Sequence, residues 1–122
     1  MTLEELYREI GGDYAQAARV LRVEKLIDKH IRKFPQNGVA EELLAAGKEM
    51  DSKRLFESAH ALKGVCSNLG LVRLAEAASR VTEEYRPGSA RSMSDGEVTE
   101  LLREIESIYR VTTDGIRRYT EG

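Results

Sequence analysis

Three residues set close together carry the clearest chemistry in the chain: His60, Lys63 and Gly64, within SKRLFESAHALKGVCSNL at positions 52 to 69. Near neutral pH an imidazole offers an unprotonated nitrogen, a nucleophile suited to attack on phosphorus. A lysine three residues further on shares the imidazole's side of a helix, so its flexible ammonium can reach an anion held on the ring. A glycine at the fourth position costs about 1 kcal/mol relative to alanine in a helix interior, and it leaves bare backbone beside the nucleophile. Together they describe a basic, sterically open patch from which a single side chain can attack.

The patch requires a helix with its other face in a core. Leu55, Ala59, Leu62, Cys66 and Leu69 supply that face, alternating at spacings of four and three. At about 100° per residue, His60 falls roughly 140° from the centre of the stripe, pointing to solvent, and Gly64 almost opposite the core. The neighbouring elements follow from the same patterns. Thr2 with Glu5 marks a first short helix stopped by Gly11-Gly12, and Asp13 with Gln16 opens a second, expected to lie as a lid across one end of the bundle. Val23, Leu26, Ile27, His30, Ile31 and Phe34 share one face of a helix at about 23–34, which turns His30 inward as a packed residue. Pro35 and Gly38 break the chain before a helix at about 37–50, and Asp51-Ser52 caps the central one. Gly70 closes the 52–69 helix in the left-handed conformation, so that a helix at about 71–86 folds back against it as a hairpin, ended by Pro87-Gly88. After a loop at 88–93, Ser94 with Glu97 opens a long last helix at about 95–120, long enough to overhang the bundle. The expected fold is all-α: one domain over 1–122, an antiparallel four-helix bundle whose core helices are those at about 23–34, 37–50, 52–69 and 71–86, with short additional N-terminal helices and the long last helix beyond the core.

Composition narrows the function. The chain has 122 residues, enough for one core, and a net charge of -2, which leaves no footprint for nucleic acid or an anionic membrane. Its single cysteine lies on the apolar stripe, where it reads as a small buried hydrophobe in a reducing compartment. The N-terminus has neither the basic start nor the apolar run of a signal peptide, and no segment is apolar enough to span a bilayer, so a cytoplasmic location is expected. No Gly-rich phosphate loop is present, so ATP binding is not expected.

His60-Ala61-Leu62-Lys63-Gly64, with Gly70 ten residues after the histidine, resembles the His-x-Leu-Lys-Gly-x5-Gly motif of histidine-containing phosphotransfer (HPt) domains. GGDYAQAARVL near the start and NLGLVRLAEAASRVTEEYR after the motif resemble the flanks of bacterial stand-alone members. The likeness covers most of residues 3 to 86, and the last helix only in a general way. It implies a phosphorelay intermediate: His60 as phosphoacceptor, Lys63 steadying the phosphoryl oxygens, Gly64 leaving room for the incoming active site, and Phe56 and Ser67 in the docking face. The implied partners are response-regulator receiver domains, with a hybrid sensor kinase a further candidate, and the chain itself a monomer. Magnesium and most catalytic groups are expected on the receiver, with no cofactor or metal on this chain. Many family members orient the ring with a glutamate or glutamine 22 residues after the histidine. Here that position is Thr82, with Glu83 beside it, so both are candidates for ring orientation, and Arg86 is a candidate phosphate contact.

Two rival readings are set aside. Glu57 with His60 forms a Glu-x-x-His pair of the kind used by di-metal bundles, but the other histidine, His30, follows Ile27 at the corresponding spacing, and His60 faces out. A helical module that docks a receiver without being phosphorylated is the alternative from a different class. It gives no reason for an exposed histidine, Lys63 and an outward glycine to occur together.

Overall fold

In the computed structural model, which describes residues 1–122, the expected all-α bundle is the observed fold: seven α-helices, one 3-10 turn and no strand. The helices are α1 (Leu3–Ile10), α2 (Tyr14–Leu21), α3 (Glu24–Lys33), α4 (Val39–Glu49), α5 (Ser52–Asn68), α6 (Val72–Glu84) and α7 (Asp95–Glu121), with the 3-10 turn at Phe34–Gln36 between α3 and α4. Helices α4, α5, α6 and α7 close a ring in which each packs on the next and α7 returns to α4. The stripe of α5 lies at its centre: Leu55, Ala59, Leu62 and Cys66 are completely buried. Burying each leucine is worth about 1.5–3 kcal/mol, which fixes the rotation of α5 and so the direction its opposite face looks.

The caps read from the sequence are present. Thr2 and Ser94 both form capping boxes, with Glu5 and Glu97 respectively, and the Asp51 carboxylate accepts from the Arg54 amide at 3.2 Å to start α5. At the other end of α5 the last carbonyls have no helical partner of their own, and the N-terminal helices supply donors for them. The Tyr7 hydroxyl donates to the Leu69 carbonyl at 2.6 Å, the Gln16 amide to that of Ser67 at 2.8 Å, and the Asp13 N–H to that of Gly70 at 2.8 Å. The lid helices therefore fasten the turn between α5 and α6. Gly70 takes φ +69° there.

The structure corrects the reading of the 23–34 helix. It is not one of the four bundle members: α3 packs on α2 and, through fewer contacts, on α7. Its buried line is Ile27, Ile31 and Phe34, while Val23 and Leu26 are exposed, and His30 is exposed as well rather than packed inside. A helix in that position has too few neighbours to cover the whole apolar arc. His30 instead lines a surface cleft with Leu21, Lys33, Phe34 and Asn37.

The end of α7 does not overhang freely. Helix α1 lies so close to it at Gly115 that a Cβ there would stand 2.5 Å from the Ile10 side chain. Arg118 pairs with Glu9, and the Tyr119 hydroxyl donates to Asp28 of α3. Helix α6 ends at Glu84, two residues short of the expected limit, since Pro87 disfavours helical backbone at Arg86, and the Glu84 side chain organises the loop that follows. It is buried, and it accepts from the amides of Ser92 (3.0 Å) and Met93 (2.9 Å), the Ser92 hydroxyl (2.9 Å) and the Arg91 guanidinium (2.7 Å). Those donors, led by the Met93 amide, hold its carboxyl down at about 2. Since the ordinary value is 4.5, the carboxylate stabilises the fold fully above that pH, and its contribution is lost as pH falls towards 2. Glu84→Gln is accordingly expected to lower the melting temperature at pH 6, with the gap to the native protein narrowing progressively as pH falls from 4.5 towards 2. A gap that does not change with pH would show that the charge is not what holds the loop.

Candidate functional site

The outward face of α5 presents His60, Gly64 and, one turn earlier, Phe56. His60 and Gly64 are exposed, whereas Lys63, Ser67 and Phe56 are half-buried along the same side. A Cβ built on Gly64 meets nothing within 4 Å, so the glycine is not required by any packing inside the molecule. Glu57 is exposed too, so the Glu57–His60 pair faces solvent and cannot join interior carboxylates around a metal pair.

The imidazole is held by stacking. Its ring lies nearly parallel to that of Phe56, with an interplanar angle of 7° and centroids 5.7 Å apart. The spacing of four residues sets the two rings one above the other on the helix surface. The Arg86 guanidinium packs over the Phe56 ring, 5.7 Å from its centroid, and is clasped in turn by Glu83 through two contacts of 3.1 and 2.5 Å. Arg86 stands beyond the end of α6, yet the pair with Glu83 still forms across three residues. Hydrogen bonding and charge from the Arg86 guanidinium hold the Glu83 carboxyl below the usual carboxylate range, with the Lys63 ammonium of α5 adding a weaker pull.

Thr82 does not take part. It is fully buried, and its hydroxyl donates to the Ala78 carbonyl of its own helix at 2.8 Å, which removes it as a candidate for orienting the ring. The buried arc of α6 is broad because α5 and α7 pack on it together, and Thr82 falls inside that arc. The run from Glu83 through Arg86 and Phe56 to His60 is the feature that sequence reasoning missed. Its signals were the Phe56–His60 spacing of four and the Glu83–Arg86 spacing of three, each a contact distance on a helix.

Fold and site define a class: a helical bundle that displays one histidine, beside a glycine and a lysine, on the solvent face of a central helix. The family model of the Hpt domain matches residues 36–110, which spans α4, α5, α6 and much of α7, and the chain belongs to that family. Hpt domains serve histidine phosphotransfer in two-component phosphorelays; they are phosphotransfer modules rather than kinases, and they interact with response-regulator receiver domains. The matched segment does not include the N-terminal GGDYAQAARVL, now seen as the fastening of the α5–α6 turn. No curated protein and no solved structure is matched by the chain. No helix is long and apolar enough to cross a membrane.

Proposed function

We propose that His60 takes a phosphoryl group from the aspartyl phosphate of one receiver domain and passes it to the aspartate of another. In the first step an imidazole nitrogen forms a bond to phosphorus while the acyl phosphate P–O bond breaks, and the carboxylate leaves with the electron pair; the second step reverses this on a new carboxylate. Magnesium and the groups around the aspartate belong to the receiver, and this chain adds no cofactor of its own. Lys63 steadies the phosphoryl oxygens by charge, and Phe56 and Ser67 border the docking face. A receiver within a hybrid sensor kinase is one candidate donor. The chain acts as a cytoplasmic monomer in this reading.

The observation that carries the proposal is the open space at Gly64 beside an exposed imidazole, since nothing internal to the bundle asks for either. The test is to mix the protein with a receiver charged on its aspartate and to follow an acid-labile, base-stable phosphate onto this chain. Binding without label would favour the unphosphorylated docking module instead.

Gly64→Leu is expected to leave the fold intact, since the site is open and leucine is the better helix former by about 0.5–1 kcal/mol. The same side chain would stand where the receiver's active site must approach, so transfer should slow by about 100-fold. Equal transfer rates in the two proteins would rule out close docking over Gly64.

A further inference from the structure

We infer that Phe56 is a positioning residue for His60: its ring fixes the plane of the imidazole, the task left vacant at Thr82. The inference rests on the phosphotransfer reading and adds to it a role in the free protein, before any partner arrives.

An exposed histidine on a helix is free to turn about its terminal torsion, which is broad and roughly two-fold. A hydrogen-bond acceptor on one ring nitrogen is the usual restraint, and the buried hydroxyl of Thr82 cannot provide it. The parallel stack against Phe56 restrains the same torsion by a different means. It occupies the face of the imidazole and neither of its nitrogens, so the nucleophile stays unblocked and no hydrogen bond has to break as phosphorus arrives. Phe56 is itself confined, because Arg86 packs over its ring and Glu83 fixes Arg86. The restraint thus starts on α6 and reaches His60 through an aromatic ring.

Docking and positioning can be separated by using two donors. A charged receiver must dock on the surface that includes Phe56, whereas phosphoramidate needs no docking: the imidazole nitrogen bonds to phosphorus, the N–P bond of the reagent breaks and ammonia leaves. Phe56→Leu, which keeps an apolar side chain at a half-buried position, is expected to slow labelling of His60 by both donors by about three- to tenfold, with the loss persisting at saturating receiver. Phe56→Tyr restores the stack and should restore both rates. In the free protein, the NMR signals of the His60 ring protons should move in Phe56→Leu as the ring current is lost, and return in Phe56→Tyr. Arg86→Gln, which removes only the far end of the ladder, should shift the same signals by less. Slowing with the receiver alone, with phosphoramidate labelling equal or faster and the His60 signals unmoved, would overturn the positioning role and leave Phe56 a docking residue. A native protein labelled by neither donor would instead overturn the phosphotransfer reading itself.

Discussion

Glutamine in place of His60 is expected to remove all acid-labile label, to below about 1% of the native level, when the protein is mixed with a charged receiver, because a side-chain amide nitrogen is not a nucleophile towards phosphorus. The fold should be almost untouched. His60 is exposed, and a surface substitution of this kind usually changes stability by no more than about 0.5 kcal/mol, to which loss of the Phe56 stack adds at most about 1 kcal/mol. The chain holds one other histidine, His30, set in the cleft beside Lys33 and Phe34. Label that survived in His60→Gln and was lost on replacing His30 would make His30 the phosphoacceptor. Receiver binding measured on the same variant separates loss of the nucleophile from loss of the docking face.

Gly70→Ala should produce the largest loss of stability, about 3 kcal/mol or more, seen as a fall of about 10 °C or more in melting temperature. Two costs combine. The left-handed backbone at φ +69° penalises any Cβ by about 1–2 kcal/mol. The added methyl would also stand 2.2 Å from the Asp13 carbonyl oxygen, a main-chain atom that cannot swing aside. Relief requires moving the start of α2, and with it the Asp13 N–H that donates to the Gly70 carbonyl and the Gln16 amide that donates to that of Ser67. A melting temperature within about 2 °C of the native protein would show that the approach of the two segments is looser than described.

These two positions also mark what could be read from the chain before its fold was known. The α5 helix was legible because its stripe of Leu55, Ala59, Leu62 and Cys66 has a single helical solution, and that solution turns His60 and Gly64 outward. Gly70 was legible as a helix-closing residue, although its close approach to Asp13 was not, since that contact joins segments far apart in sequence. The error at α3 has a physical cause. Periodicity tells which residues share a face but not whether another helix arrives to cover it, and at Val23, Leu26 and His30 none does. Thr82 failed in the opposite sense: two neighbours enclose α6, so a flank position became interior. The Glu84 clasp left no trace in the pattern because its donors come from an irregular loop seven to nine residues away.

The contacts of Ile10 on Gly115, Glu9 on Arg118 and Asp28 on Tyr119 separate what is recognisable in this chain from what is foldable. The segment carrying the family pattern, 36–110, stops partway along α7 and omits Tyr7, Asp13 and Gln16, which tie off the carbonyls at the end of α5. An excised core of that length would lose the donors that the carbonyls at the end of α5 use, together with the Gly115–Tyr119 end of α7 on which α1 and α3 pack. The helix that displays His60 is therefore tied down at its far end by residues outside the family pattern, and those residues are held in turn by the packing of α1 and α3 on the end of α7.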